Sequence, residues 1–139
     1  RIPVQITADH PTQVFASLVG GKPIADLYQD RRRSIDPSMM IQQAEMHFLS
    51  EYVFFLPDYL PDGDITIVSP AGNDVTLDGM PLAPDGWLPI LGSEFLYRHL
   101  TLATGLHRIQ SEAPVGLSIY GFGRNLSHAF AGGYNFHQE

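Results

Sequence analysis

Hydrophobic and polar positions alternate along most of the chain, which is the pattern of half-buried β-strands. The clearest runs are Tyr52–Leu56, Asp64–Val68 and Leu96–Leu102, and each is followed by a proline or glycine. Such residues recur at intervals of roughly 8 to 12 positions, which is typical of strands in a sandwich or barrel. The sequence therefore predicts an all-β fold, an antiparallel β-sandwich or jelly roll with at most one short helix.

Further strands are predicted wherever a shorter run alternates in the same way. Asp78-Gly79 is a strong two-residue hairpin signal, and it separates Val75–Leu77 from a short returning strand at Met80–Leu82. Pro114 lies where an acidic corner is expected to separate two strands, since proline cannot donate to a ladder. The remaining predicted strands are Ile2–Ile6, Thr12–Val19, Leu106–Gln110 and Val115–Phe122.

Two regions do not follow the alternation. Residues 22–38 are polar and aperiodic, which predicts a long surface loop. Met39–Phe48 has apolar residues at a helical spacing, so a short helix and a bulged strand are both open. The whole of residues 1–139 is interpreted as a single β-sandwich module excised from a longer secreted or surface protein.

The stretches Ile6–Gly20 and Ile109–Gly123 match in register at several positions, each as a strand, an acidic turn with proline and a second strand. This internal similarity supports an alternative, structural function: a repeat or assembly module that packs on neighbouring domains or subunits.

Composition excludes several classes of function. The 8 basic and 15 acidic side chains give a net charge of −7, which argues against nucleic-acid binding. No apolar stretch reaches about 18 residues, so no membrane insertion is expected. The chain has no cysteine, which rules out disulfides and thiolate chemistry.

Catalytic motifs are not evident. The six histidines show no metal-ligand spacing, and neither a Gly-x-Ser-x-Gly elbow nor a phosphate loop occurs. We therefore expect no enzyme activity and no cofactor. A jelly-roll hydrolase or a cupin-like metal enzyme remains the less favoured alternative.

Three sets of residues are candidate binding groups. Asp58, Asp62 and Asp64 place three carboxylates within seven residues and are a candidate calcium site, although the remaining ligands of an EF-hand loop do not follow. Arg31, Arg32 and Arg33 form the basic cluster of the long loop, and Trp87 lies in the loop of residues 80–94. Arginine and tryptophan are favoured where proteins bind partners. An alternative for Trp87 is that its ring folds back and closes the mouth of the sandwich.

A set of ordered blocks also resembles a known family. Over residues 5–136 the chain resembles the N-terminal domain of the IgGFc-binding protein family, through Asp36–Met39, Tyr52–Phe54, Ile67–Gly72, Val75–Gly79, Gly105–Gly116, Ile119–Gly123 and Gly132-Gly133. The resemblance implies an extracellular or cell-surface β-rich binding domain. Vertebrate members are secreted mucus-associated proteins with cysteine-rich repeats, so a chain without cysteine resembles the bacterial or invertebrate members more. The resemblance supplies no ligand residues.

Together, these observations predict a non-catalytic extracellular binding or adhesion module. We expect it to recognise a protein or glycan partner through its loops, beside neighbouring domains of a longer chain.

Overall fold

The fold was analysed in a computed structural model, which describes residues 5–10, 12–18, 38–59, 62–123 and 126–134. These residues form ten β-strands and one short 3-10 helix, Glu45–His47. The strands are β1 (Phe15–Leu18), β2 (Ser38–Ile41), β3 (Leu49–Leu56), β4 (Asp62–Pro70), β5 (Val75–Leu77), β6 (Met80–Pro81), β7 (Leu88–Pro89), β8 (Phe95–Leu102), β9 (Gly105–Gly123) and β10 (Leu126–Ala131). The predicted all-β class is confirmed.

Strand β9 organises the molecule because it belongs to two sheets. Its first part, through Ser111, lies between β3 and β5, and β6 continues beyond β5. Its second part, from Gly116, pairs with β4 and β10, and β8 and β7 continue beyond β4. All of these pairings are antiparallel. The predicted separation into two strands at Pro114 is wrong, because the chain stays extended there and changes its neighbours.

The side chain of Asn73 explains how β9 stays extended through the change. Its Oδ1 accepts a hydrogen bond from the Ala113 backbone N–H at 2.8 Å, and its Nδ2 donates to the Ala113 carbonyl at 3.0 Å. The β3 ladder is irregular at the same place, where pairing passes from Glu51 with Gln110 to Leu49 with Val115. An amide side chain thus replaces a strand neighbour next to Pro114, which has no N–H to donate.

The core follows from the period-2 alternation of the central strands. The inward residues of these strands form one buried cluster of Tyr52, Phe54, Leu56, Ile65, Ile67, Val75, Ile109, Val115, Leu117 and Ile119. Half-buried side chains of β8 and of the loop that follows β6 pack on its margin, among them Leu100, Leu102 and Trp87.

The hairpin of β5 and β6 is confirmed at its predicted turn. Leu77 pairs with Met80, which leaves Asp78-Gly79 as a two-residue loop. Both residues have positive φ, 52° at Asp78 and 80° at Gly79, as a type I′ turn requires.

The amino-terminal half departs more from expectation. Gln5 and Ile6 are exposed and lie outside any strand, so the described end of the predicted Ile2–Ile6 strand is wrong. β1 occupies Phe15–Leu18 within the predicted Thr12–Val19 run and pairs with β2. Met39–Phe48 is neither one helix nor one strand, because β2 ends at Ile41 and the 3-10 turn follows. Except for Ser38, which begins β2, the predicted loop of residues 22–38 lies outside the described residues.

Candidate functional site

The principal candidate site is a cavity of about 680 Å³ at one side of the sheets, hereafter the larger cavity. Its lining side chains lie within residues 5–10 and 12–14 and within residues 41–48, and they include Ile90, Ser93 and Phe95 but not Glu94, together with Val68 and Tyr134. Most of these positions are loop or turn residues that rest on the sheets. The site therefore combines a rigid base with irregular walls, which is a common arrangement for binding surfaces.

Gln43 fixes the wall of residues 41–48 to the sheets. Its Nε2 donates to the carbonyls of His47 at 2.5 Å and Gly133 at 2.6 Å, and its Oε1 accepts the Leu117 N–H at 3.3 Å. Beside it the buried Tyr52 hydroxyl donates to the Val115 carbonyl at 2.6 Å and accepts the Leu49 N–H at 3.1 Å. Burial raises the pKa of Tyr52 above its ordinary value, against the lowering effect of the hydrogen bonds from Gln43 and Leu49.

Aromatic rings form much of the cavity surface. Phe48 and Phe95 meet edge to face with ring centroids 6.1 Å apart, and His47 meets Tyr134 in the same manner at 6.1 Å. The Tyr134 hydroxyl donates to the Ile41 carbonyl at 3.2 Å. The Phe48 ring lies directly over the buried Gly116 of β9, where a Cβ would stand only 2.5 Å from the ring. A glycine in the strand thus leaves the space that this ring occupies.

The loop around Trp87 contributes to two cavities. Its residues Ile90 and Ser93 line the larger cavity, whereas Trp87 lines a second cavity of about 490 Å³. Trp87 is half-buried against the core, and the Arg98 guanidinium carbon lies 6.0 Å from its ring centroid. Arg98 also donates from Nη1 to the Ala83 carbonyl at 2.6 Å, which fixes it across the loop. The position of Trp87 is that of a ring folded onto the sandwich, and its role in binding stays a prediction.

The predicted calcium residues are spread over a turn and a strand. Asp58 is exposed in the turn after β3, and Asp62 begins β4. Asp64 lies on β4, where its Oδ1 accepts a hydrogen bond from the Thr101 hydroxyl at 2.6 Å. In the part of the chain that the structure describes, no three acidic or histidine side chains converge as a metal site. Calcium binding remains an untested prediction.

The arginine cluster Arg31, Arg32 and Arg33 falls outside the described residues, so its place relative to the larger cavity is not assigned.

His107 and Asp78 form a close pair, and His–Asp pairs of this kind also occur in catalytic sites. His107 Nδ1 lies 2.8 Å from Asp78 Oδ2, while its Nε2 lies 2.8 Å from the Ala103 carbonyl oxygen. Both ring nitrogens are therefore engaged, and neither is directed at a substrate. Partial desolvation raises the pKa of Asp78, but the hydrogen bonds from His107 and the Arg108 N–H and the charge of His107 outweigh it, and the pKa falls below its ordinary value. The pair holds the β5–β6 turn against β9.

Sequence reasoning identified the Trp87 loop but missed the larger cavity. The loop prediction includes Ile90 and Ser93, yet no local pattern connects Gln43 with Gly133 or Phe48 with Phe95. The one signal was indirect: residues 39–48 fit neither a helix nor a strand, as expected of a segment shaped by tertiary contacts.

Comparison with known proteins places the chain in a family. No curated protein and no solved structure gave a significant match. Among the described residues, no helix is long and apolar enough to span a bilayer. A family model described as IgGFc binding protein matches residues 2–121, which is most of the chain and includes nearly all of β9. The chain belongs to the IgGFc-binding protein family.

Proposed function

We propose that the chain is a non-catalytic extracellular binding module that recognises a protein partner through its loops, with the larger cavity at the centre of the contact. Membership of a family described by protein binding supports this class of function. A glycan partner is the alternative within the same proposal.

The observation that carries the proposal is the composition of the cavity walls. They combine apolar and aromatic side chains, such as Ile41, Phe48 and Phe95, with polar ones, and they border about 680 Å³, within the range of roughly 300–1,000 Å³ that is usual for ligand sites. The wall of residues 41–48 is anchored to the strands through Gln43 and Tyr52, so this part of the site is formed before a partner arrives. Preformed sites bind with a smaller ordering cost.

The first experiment is surface plasmon resonance with the immobilised chain, in calcium and again in chelator. The analytes are an IgG Fc fragment, a panel of extracellular proteins and a glycan panel. We expect a protein analyte to bind, and the variant Ile41→Lys to weaken it by at least tenfold, since Ile41 lines the cavity and a lysine there would close part of it. The matched control is Met39→Lys, two residues earlier on the same strand, exposed and outside the cavity lining.

Equal binding by wild type and Ile41→Lys would remove the larger cavity from the contact. Loss of binding in Trp87→Phe with retained folding would transfer the site to the Trp87 loop. If binding disappears in chelator, the carboxylates of Asp58, Asp62 and Asp64 become the expected calcium ligands. If only glycans bind, the proposal of a protein partner is wrong.

A second function, assembly with neighbouring domains or subunits, is favoured by one surface. On the outer face of β3 and β9, Phe55 lies opposite Leu106, and Val53 is two residues along. The three side chains are 61%, 71% and 56% exposed, and exposed apolar clusters commonly mark protein contacts. If assembly is the function, sedimentation at increasing concentration shows association that Phe55→Ser abolishes and that Leu88→Ser, at a distant exposed leucine, leaves intact.

A further inference from the structure

We propose that the larger cavity takes an arginine side chain of the protein partner, presented between apolar residues. This inference rests on the proposed function and adds the chemistry of the group that enters the site. Three properties of the walls support it: their charge, their aromatic rings and the state of their polar groups.

The charge of the walls favours a cation. Among the lining residues that the structure describes, Glu45 carries a carboxylate and none is lysine or arginine. Glu45 is exposed at the start of the 3-10 helix, where a guanidinium entering from solvent can approach it. The chain as a whole carries a net charge of −7, so the surrounding field also attracts cations.

The rings favour arginine over lysine. The faces of aromatic rings carry negative potential, and cations are attracted to them. A guanidinium is planar and more weakly hydrated than an ammonium group, so it loses less on leaving water and stacks better on rings. Phe48, Phe95 and Tyr134 line the same cavity as Glu45. The walls thus offer apolar surface for the side-chain methylenes and for flanking residues of the partner.

Three polar side chains of the walls are already hydrogen-bonded within the protein, which leaves fewer groups for a sugar. A glycan presents many hydroxyl groups, each of which needs a hydrogen-bonding partner when it leaves water. The side-chain amide of Gln43 is hydrogen-bonded to the backbone of His47, Gly133 and Leu117. The Ser93 hydroxyl bonds to the Ile90 carbonyl and the Phe95 N–H, and the Thr12 hydroxyl bonds to the His10 carbonyl. These three side chains are hydrogen-bonded inside the protein, whereas the Glu45 carboxylate is exposed to solvent.

The test compares two capped tripeptides, Leu-Arg-Leu and Leu-citrulline-Leu, with the full chain in two-dimensional NMR. Citrulline has the same shape as arginine but no charge. We expect the arginine peptide to shift the backbone amides of residues 41–48 and 90–95, and to bind about tenfold more tightly than the citrulline peptide. Glu45→Gln should remove most of that difference. Glu94→Gln, at an exposed glutamate outside the cavity lining, should preserve it.

Each other outcome overturns the inference in a distinguishable way. Equal affinity of the two peptides for the cavity would show that the site binds but does not select a cation, and the proposed function would stand. Shifts confined to residues elsewhere, or no shift at millimolar peptide, would exclude arginine from the cavity. Failure of the proposed function is read separately, from equal protein binding by Ile41→Lys and Met39→Lys.

Discussion

At the residue scale, the anchoring of the cavity depends on one tyrosine that the sequence presents only as an apolar strand position. Tyr52 is 2% exposed, and its hydroxyl is in contact with the backbone at Val115 and Leu49 and with the side chain of Gln43. The alternation of β3 correctly predicts that Tyr52 faces inward. It contains no information about the partners of the hydroxyl, because two of them come from other segments.

Replacing Tyr52 by phenylalanine should destabilise the protein by about 1–3 kcal/mol, because buried hydrogen-bonding groups lose their partner. The measurement is urea unfolding followed by circular dichroism. Tyr59→Phe is the control: Tyr59 is 65% exposed, and its variant should stay within about 0.5 kcal/mol of wild type. An unchanged midpoint for Tyr52→Phe would mean that the hydroxyl network contributes nothing net.

His128 should make stability depend on pH. Burial lowers the pKa of His128 below its ordinary value of 6.5, and within the described residues its Nε2 is buried without a hydrogen-bond partner. The folded state thus holds fewer protons than the unfolded state, so the contribution of the neutral ring is present above pH 6.5 and is lost as the pH falls through the lowered pKa.

Unfolding of wild type and His128→Gln between about pH 7.5 and pH 5 tests this dependence. The drop in stability on acidification should be smaller in His128→Gln than in wild type. His99→Gln, at an exposed histidine, should keep the wild-type slope. Identical slopes in all three proteins would contradict the assignment to His128.

At the element scale, β9 connects the sheet core to the wall of the larger cavity. The ring of Phe48 covers Gly116, so the shape of the cavity wall depends on a residue in the middle of a strand. A strand glycine often marks such a close approach. Local pattern reading placed Gly116 inside a predicted strand but had no means of identifying the ring above it.

Gly116→Ala should displace Phe48 and cost about 1–3 kcal/mol, since the added methyl group overlaps the ring. It should also weaken binding at the larger cavity. A double-mutant cycle provides the check: combined with Phe48→Leu, the alanine should cost less than it does alone, because the smaller side chain can yield. Additive effects of the two substitutions would contradict the contact.

Which elements could be predicted depends on the range of the interactions that form them. The β5–β6 hairpin was predicted correctly because two adjacent residues, Asp78 and Gly79, determine its turn. Strands β3, β4 and β8 were predicted because one face of each packs on the core. The continuity of β9 was missed because it relies on the Asn73 side chain, which lies 40 positions from Ala113. The conformation of residues 39–48 could not be predicted for the same reason, because it depends on contacts with distant segments such as Gly133.

At the scale of the whole molecule, the two sheets should unfold together. Both contain β9, and their inward residues form one buried cluster rather than two. Trp87 packs on the margin of that cluster and is the single tryptophan of the chain. Its fluorescence therefore reports on the loop, while far-ultraviolet circular dichroism reports on the strands.

In urea the two signals should give coincident transitions with one midpoint, as expected for a single cooperative unit. Phe55→Ser is a useful control because the Phe55 side chain points outward. Its replacement should change neither the coincidence of the two transitions nor their midpoint by much. A fluorescence transition at lower urea would show that the Trp87 loop detaches before the sheets unfold.

The walls of the larger cavity are separated widely along the chain, from Gln5 to Tyr134. Bringing such distant segments together carries a large loop-closure entropy, and contacts of this kind form late in folding. During synthesis the two amino-terminal walls leave the ribosome first, and the contacts of Gln43 with Gly133 and of Ile41 with Tyr134 can form only after those two residues emerge. A chain truncated before those two residues retains the complete sequence of β1–β10 and yet lacks the contacts that hold the wall of residues 41–48 to the carboxy-terminal segment.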